Sequence, residues 1–234
     1  MALTPVAQYY AQISPQGTSP IVTASFTPSN GDWLVVTMGT WDSASPLGAP
    51  TGGSLTYTQQ VVQAPGGFNQ WCAIYTAPVI SSPGSMTVSS TPTVSLRGSI
   101  CVHRYSGAQI AATPVTNKTS GFSSPAASTI TPTAGTSLIP WTAGDASSVD
   151  PATRAYLASA TQAGLRDDHA GANGVDYHAY QSSTGTGSQS YGLSAPGGMT
   201  WVIAAIEVQA AAGATFIAPR PVIVRQAGKR ASFY

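Results

Sequence analysis

Charged side chains are scarce in this sequence. Lys, Arg, Asp and Glu together make up 7% of its 234 residues, whereas an average globular protein contains about 25%. Ser, Thr, Gly, Ala and Pro are abundant instead, and the apolar fraction of 42% is ordinary. This composition excludes the highly charged type of disordered chain. It indicates a surface hydrated by hydroxyl and amide groups, as in an extracellular or assembled protein, and it disfavours a cytosolic enzyme.

Cysteine and long apolar runs are scarce as well. The two cysteines, Cys72 and Cys101, and three histidines are too few for a convincing zinc site. Both cysteines fall in strand-like segments, so the sequence leaves open whether they are buried free thiols or a disulfide between neighbouring strands. No window reaches the roughly 18 apolar residues of a membrane span. Residues 1–13 lack the basic and apolar regions of a secretory signal, so we expect no membrane step.

Short alternating segments separated by turns dominate the chain. The strongest strand patterns are residues 33–41 (WLVVTMGTW), 70–79 (QWCAIYTAPV), 97–106 (RGSICVHRYS) and 199–209 (MTWVIAAIEVQ). Side chains alternate between the two faces of a strand, and the first and last of these segments are apolar on both faces. We therefore expect both to be central strands that are covered on both sides. The pattern predicts an all-β fold, an antiparallel β-sandwich with jelly-roll topology.

The less regular parts of the chain give four further expectations. Residues 107–127 are predicted to form a long polar loop, and residues 148–160 a short helix that Ser148 caps. Pro140 lies in a strand pattern, where proline indicates a sheet edge or a bulge. Glu207, near the end of the last strong strand, is expected to lie close to water.

Charge is distributed unevenly along the chain. Residues 1–212 contain five basic and eight acidic residues, a formal charge of −3, and residues 213–234 contain four basic residues and no acidic one. We therefore divide the chain into a β-sandwich domain, 1–212, and an extended, basic and apolar C-terminal arm, 213–234. Because the arm is too apolar for a free tail, we expect it to bind a neighbouring subunit by adding a strand to a sheet edge and by pairing with acidic groups.

Nine arm residues are the expected partner-binding residues. They are Phe216, Ile217, Arg220, Val222, Val224, Arg225, Lys229, Arg230 and Tyr234. One alternative is that the arm packs on its own domain. Nucleic acid is a weaker alternative, because four positive charges mixed with aliphatic residues are a poor signature of nucleic-acid binding.

Polar side chains concentrate at residues 166–169 (RDDH), with Asp176 and His178 close by. Carboxylate and imidazole groups can bind a divalent ion or act as acid and base, and Ca²⁺ held by Asp167 and Asp168 is the most natural choice. The spacing matches no known metal-binding loop, so a solvated loop between two strands is the alternative. We assign no metal, cofactor or catalytic residue.

Enzyme motifs are missing elsewhere in the sequence. No G-x-S-x-G motif lies in a strand–turn–helix context, no glycine-rich loop precedes a helix as in phosphate-binding sites, and neither His169 nor His178 has an obvious nucleophile. Glycan binding is an alternative, because Trp and Tyr side chains provide stacking faces. Trp41 and Trp141 lie near loops, whereas the other tryptophans that open strong strands are expected in the core. Those core candidates are Trp33, Trp71 and Trp201.

Five segments carry a resemblance to a known group of proteins. They are residues 24–41 (ASFTPSNGDWLVVTMGTW), 55–62 (LTYTQQVV), 71–89 (WCAIYTAPVISSPGSMTVS), 101–108 (CVHRYSGA) and 201–208 (WVIAAIEV). Together they resemble β-sandwich proteins in the virions of tailed phages of actinobacteria and related hosts, which are often labelled minor tail or virion structural proteins. These segments are strand and turn patterns, so the resemblance brings no active-site residues.

The resemblance implies a non-enzymatic structural role in a phage particle. We expect a minor tail protein, with a capsid decoration protein as the alternative and a glycan-binding receptor-recognition module as a further one. The implied location is the virion, after synthesis in the host cytoplasm. The implied partners are other tail or capsid subunits, including further copies of this chain. A host-surface glycan stays open as a ligand, and neither nucleic acid nor a membrane is expected as a partner.

Overall fold

A computed structural model describes residue 3 and residues 5–40, 47–64, 70–146, 154–157, 160–167 and 174–212. These residues form strands and turns, and none of them belongs to a helix long and apolar enough to cross a membrane. The first half of the chain contains β1 (Ala7–Gly17), β2 (Ile21–Val22), β3 (Trp33–Thr40), β4 (Thr58–Gln63), β5 (Trp71–Pro78), β6 (Ser89–Ser90), β7 (Leu96–Tyr105) and β8 (Ala108–Gln109). The second half contains β9 (Thr116–Ser124), β10 (Ala127–Ile130), β11 (Ser137–Ala146), β12 (Ala155–Tyr156), β13 (Thr161–Asp167), β14 (Gly174–Ser182), β15 (Gln189–Ala195), β16 (Met199–Ile206) and β17 (Val208–Ala210).

Two large antiparallel sheets lie face to face in the middle of the molecule. The first sheet has the strand order β1-β7-β3-β5-β4, and the second has the order β13-β14-β11-β16-β9. Smaller sheets cover their outer faces: β2 and β6 lie on the first, and β10, β15 and β12 lie on the second. The predicted all-β, antiparallel sandwich is therefore confirmed, and it has four stacked layers.

Three apolar clusters fill the spaces between these layers. The central cluster joins the two large sheets and includes Val35 and Val202. Leu34, the neighbour of Val35 on β3, points instead into the outer cluster of the first half. Ile203, the neighbour of Val202 on β16, points into the outer cluster of the second half. Both strands are thus covered on both faces, as their apolar patterns predict.

The two halves of the chain have the same topology. When β1, β2, β3, β4, β5, β6 and β7 are matched in order with β9, β10, β11, β13, β14, β15 and β16, every strand pairing of the first half recurs in the second. In the first half, isolated bridges join Leu47 and Thr51 to the region of β6. These bridges occupy the place that the pairing of β12 with β15 has in the second half. Each half is a jelly-roll-like sandwich, so the chain contains two such units in tandem, where the sequence suggested one.

Details of register and sequence support this match. Strands β4 and β13 both begin with Thr-Gln, and each carries a bulge at its third residue. The turn before β3, residues 26–31 (FTPSNG), corresponds to the turn before β11, residues 130–135 (ITPTAG). The pairings of the flanking strands then match Thr37 of β3 with Thr142 of β11. The fold and strand register of the first unit are thus repeated in the second.

The two units pack as a pseudo-twofold pair. Strand β3 contacts its own counterpart β11, and the other contacts between the large sheets occur in matched pairs. For example, β5 contacts β11 as β14 contacts β3, and β4 contacts β9 as β13 contacts β1. A twofold interface uses the same surface on both sides. The molecule is therefore built like a dimer of jelly-roll units joined in one chain.

Two predictions for the segments with weak strand patterns, one of a loop and one of a helix, are wrong. Residues 107–127 contain β8, the whole of β9 and the first residue of β10, rather than a long loop. The signal was missed because β9 is a half-exposed edge strand of polar residues and lacks apolar alternation. Within residues 148–160, the described residues 154–157 contain strand β12 instead of a helix. The remainder of that predicted helix lies outside the described residues, except residue 160.

Pro140 lies in the central strand β11, so its expected edge position is wrong, although the sheet is interrupted beside it. Strand β16 pairs with β11 up to the couple Trp141 and Ala205, and pairing resumes on β17 at Leu138. Proline has no N–H to donate, and Pro140 falls in this gap. Glu207 also lies in this gap, and its side chain is 2% exposed rather than near water.

Candidate functional site

A cluster of polar side chains lies at the centre of the molecule, between the two large sheets. The Ser99 hydroxyl donates to Oδ2 of Asp176 at 3.0 Å, and it lies 2.9 Å from Nε2 of His178. Nδ1 of His178 lies 2.9 Å from the Thr37 hydroxyl and 3.4 Å from the Thr142 hydroxyl. All five side chains are fully buried. The repeated fold therefore brings residues from both units into one hydrogen-bonded network.

Ser99, His178 and Asp176 have the composition of a catalytic triad but a different geometry. In a triad the carboxylate binds Nδ1 of the histidine, and Nε2 faces the serine. Here the Asp176 carboxyl group binds the Ser99 hydroxyl directly, and Nδ1 of His178 faces two threonines. No side chain of the cluster reaches solvent. The arrangement links the two units, and it does not offer a nucleophile to a substrate.

The cluster occupies one of two equivalent places beside the pseudo-twofold axis. Each polar position has an apolar or weakly polar counterpart in the other unit: Ser99 matches Val202, Asp176 matches Cys72, and His178 matches Ile74. Those three counterparts belong to the central apolar cluster. The contact is thus polar on one side of the axis and apolar on the other.

This asymmetry selects the pairing of unlike units. Two copies of the second unit would place Val202 against Asp176 and His178, leaving buried polar groups without partners, which is costly. Two copies of the first unit would place Ser99 against Cys72 and Ile74. The polar cluster therefore penalises both like pairings, as in interfaces that gain specificity from unfavourable alternatives.

A pair of matching glycines gives the Asp176 carboxyl group its space. A Cβ added to Gly39 would lie 3.1 Å from Cγ of Asp176, and one added to Gly144 would lie 3.2 Å from its Oδ1. Both distances are tighter than ordinary van der Waals contact. The conserved topology thus places a glycine from each unit against the same buried side chain.

His103 lies in the same central layer. Its Nε2 is 3.3 Å from the Thr37 hydroxyl, and its ring is fully buried. Burial disfavours the charged imidazolium and lowers the pKa of His103 to about 3. His103 is therefore neutral at physiological pH and serves as a packed, uncharged part of the core.

Two charged side chains, the half-buried Arg104 and the buried Glu207, stabilise equivalent turns in the two units. Arg104, at the end of β7, donates through Nε to Asp32 at 2.5 Å and through Nη2 to Ser29 at 3.0 Å. Glu207 occupies the matching position after β16, and its carboxylate accepts hydrogen bonds from the backbone N–H groups of residues 133 and 134. The hydroxyl of Ser137 binds the same carboxylate at 2.5 Å. Arg104 and Glu207 therefore have a structural role, which the low charge content of the sequence did not indicate.

The hydrogen bonds to Glu207 determine its protonation. Burial by itself works to raise the pKa of this carboxyl group, but the hydrogen bonds from Ser137, Ala134 and Thr133 favour the charged form and outweigh burial. The pKa of Glu207 is therefore lowered from its ordinary value. The carboxylate is charged at neutral pH, and it stabilises the turn before β11 through the hydrogen bonds that it accepts.

The acidic side chains that the structure describes do not contribute to an acidic surface. Every acidic side chain in the described part of the chain is buried; these are Asp32, Asp145, Asp176 and Glu207. The side chains of Asp42, Asp150, Asp167 and Asp168 lie outside the described residues. The side chains of Asp167 and Asp168, the candidate ligands if the loop binds Ca²⁺, are therefore not described. Asp176 and His178, which the sequence pattern places on a strand beside that loop, lie in β14 and are fully buried.

The described residues provide no metal site. No three His, Cys, Asp or Glu side chains among them come together as a metal would require. Cys72 and Cys101 are free, buried thiols, which settles the alternative that the sequence left open. They lie on β5 and β7, which are separated by β3. Burial raises the pKa of both thiols, so neither is activated as a nucleophile.

The tryptophans do not provide a stacking face for a glycan in the described residues. Trp141, one of the two candidates, is fully buried, and Trp41 lies outside the described residues. Trp71 and Trp201 are buried and Trp33 is half-buried, as expected of core residues. The nine predicted arm residues, from Phe216 to Tyr234, also lie outside the described part, which ends at residue 212.

An open pocket of about 700 Å³ lies at one end of the first unit. Its walls are the turn at residues 52–56 and the segment at residues 78–87. Six exposed hydroxyl side chains line it: Ser25, Ser54, Thr56, Ser81, Ser85 and Thr87. Sequence reasoning missed this pocket, because the hydroxyl residues belong to three separate turn regions without a recognisable motif.

Comparison with known proteins adds no further assignment. No protein-family model matches the sequence, and neither a curated protein nor a solved structure is similar to it.

Proposed function

We propose that the protein is a non-enzymatic structural component of a phage virion, a minor tail protein that binds neighbouring subunits through residues 214–234. One observation carries the proposal: every Asp, Glu, His and Cys side chain in the described part of the chain is buried. Ser99, Asp176 and His178 are fully buried and join the two jelly-roll units. Glu207 and Asp32 are buried and fasten turns. A chain with this distribution is suited to a building block.

The surface supports the same proposal. Lys118 is the one exposed charged side chain in the described part of the chain. Hydroxyl and amide groups hydrate most of the remaining surface, so subunits can pack closely without burying unpaired charges. The fused pair of jelly-roll units also gives a body with an extensive central core. A building block of a particle needs both properties.

The large sheets offer edges that an arm can extend. Strands β1 and β4 are the edges of the first large sheet, and β13 and β9 are the edges of the second. An exposed edge is a template for an added strand. Residues 222–225 (VIVR) do not alternate between apolar and polar side chains, but they have the β-branched composition of a strand. Fully extended, residues 213–234 span up to about 70 Å, which is enough to reach a neighbouring subunit.

Deletion of residues 214–234 tests the proposal in assembling particles. The truncated protein is expected to fold with an unchanged unfolding midpoint but to be lost from purified particles. Replacing Arg220, Arg225, Lys229 and Arg230 by Gln measures the contribution of charge. Replacing Val222 and Val224 by Ser measures the contribution of an added strand. Normal incorporation of the truncated protein would contradict docking through the arm.

Two alternatives are outcomes of further measurements. Gold-labelled antibody against the chain is expected to mark the tail of the particle, and labelling of the head would identify a capsid decoration protein instead. Incubation of the purified protein with host cell-wall polysaccharide is expected to release no reducing sugar. Release of sugar, lost when the protein is unfolded, would show an enzyme and overturn the structural assignment.

A further inference from the structure

The open pocket of the first unit has fixed walls. At Gly52, where φ is +150°, an added Cβ would lie 2.1 Å from the carbonyl oxygen of Thr87. At Gly53, where φ is +59°, an added Cβ would lie 2.5 Å from Sδ of Met86. The turn is therefore seated directly on the facing segment. That segment is held in turn, since Met86 and Phe26 exchange two backbone hydrogen bonds of 2.8 Å.

Free hydroxyl groups face the space between these walls. The hydroxyls of Ser25 and Ser85 bind each other at 2.6 Å. Ser54, Thr56 and Thr87, in contrast, are exposed, and no side-chain hydrogen bond joins them to other described residues. A hydroxyl both donates and accepts, so this lining can bind a ligand that does the same.

The charge of the lining narrows the class of ligand. Among the described residues, no Lys, Arg, His, Asp or Glu lines the pocket, and such side chains are the ones that bind phosphate, carboxylate or cations. Apolar atoms of Leu55, Ile80 and Met86 stand beside the hydroxyls. Ile80 is 80% exposed, so its side chain offers an apolar surface beside the hydroxyls. The ligand that fits carries many hydroxyls, no charge and some apolar C–H surface.

We propose that this pocket binds a neutral saccharide. The saccharide hydroxyls would exchange hydrogen bonds with Ser54, Thr56 and Thr87, and its C–H face would lie on Ile80. The pocket volume, about 700 Å³, lies within the range of roughly 300–1,000 Å³ that is usual for small-molecule sites. The site is independent of the structural role in a particle, because it uses neither the arm nor a sheet edge.

Titration of the full-length, ¹⁵N-labelled protein tests this site. Neutral probes are glucose, galactose, N-acetylglucosamine and their disaccharides, and glucuronic acid is the anionic probe. At least one neutral probe is expected to shift the amide resonances of residues 52–56 and 80–87 in a saturable manner, and glucuronic acid is expected to bind more weakly than its neutral counterpart.

Matched variants decide whether binding occurs in the pocket. Thr87→Val removes one hydroxyl at constant shape and is expected to weaken binding about 3- to 10-fold, the loss of one hydrogen bond. Thr91→Val makes the same change outside the pocket and is expected to bind normally. Ser81→Trp is expected to abolish binding by filling the space. The proposal is overturned if no neutral probe shifts these resonances, or if Thr87→Val and Thr91→Val bind equally well.

Discussion

Ser99 is the residue whose change tests the central polar cluster most sharply. Ser99→Ala removes a hydroxyl that binds both Asp176 at 3.0 Å and His178 at 2.9 Å in a fully buried site. Leaving buried polar groups unsatisfied costs about 1–3 kcal/mol. We expect the free energy of unfolding to fall by about 2 kcal/mol, measured by urea denaturation with an unchanged m-value.

Ser90→Ala is the matched control for this change. Ser90 is also buried, but its hydroxyl makes one hydrogen bond, to the carbonyl oxygen of Gly48 at 2.6 Å. It belongs to the outer sheet and not to the junction of the two units. We expect Ser90→Ala to cost about 1 kcal/mol, the usual contribution of one hydrogen bond. A loss for Ser99→Ala that is no larger than this would refute the reasoning.

A triple variant extends the same test to the pseudo-twofold axis. Ser99→Val, Asp176→Cys and His178→Ile together copy the matching residues of the other unit, so both sides of the axis become apolar. Replacing a whole buried polar group by apolar residues is often neutral or stabilising. We expect the triple variant to unfold within about 1 kcal/mol of the original protein. A triple variant less stable than Ser99→Ala would contradict the matched arrangement.

Three further predictions concern single side chains. Folded His103 has a pKa of about 3 and stays neutral, whereas the unfolded residue is protonated below about pH 6.5; its stabilisation is full above that pH and declines as the pH falls toward 3. His103→Phe should therefore lose less stability than the original protein between pH 6.5 and pH 5, and equal losses in urea denaturation would be inconsistent with a neutral buried histidine. The pKa of Glu207 is lowered, so the stabilisation by its charged form is full above its ordinary pKa and is lost as the pH falls through the lower folded value. Glu207→Gln should therefore lower the free energy of unfolding by about 2 kcal/mol at pH 7 and by clearly less at pH 3. A cost independent of pH would argue against a charged Glu207. A Cβ at Gly121 would lie 2.1 Å from the Trp201 ring, so Gly121→Ala should lower the stability measured by thermal unfolding by about 1–3 kcal/mol. The control Gly135→Ala, with open space around the added Cβ, should have little effect. Similar unfolding midpoints for both variants would show that the Trp201 ring moves freely.

The sequence predicts the fold class because the central strands are apolar on both faces. Residues 33–41 and 199–209 need cover on each side, and the four-layered arrangement supplies it. The repeat is harder to see. Its clearest traces are the turns FTPSNG and ITPTAG, and much of the remaining match lies in strand order and in the position of one bulge, which leave little trace in residue identity.

The polar cluster could not be predicted because its members are distant in sequence. Ser99 and Asp176 are 77 residues apart, and they meet because the two units pack across a pseudo-twofold axis. Two of these side chains have a role in the structure that differs from the one that the sequence suggests. The sequence places Asp176 and His178 on a strand close to the RDDH segment, but it does not show that the strand register turns both side chains toward the centre of the molecule.

Imaging of particles that carry this chain tests the proposed function most directly. Electron cryo-microscopy of the purified virion is expected to show density for two jelly-roll units in tandem on the tail, with residues 214–234 in contact with a neighbouring subunit. Absence of the chain from purified particles, established by mass spectrometry of the same sample, would contradict the structural assignment.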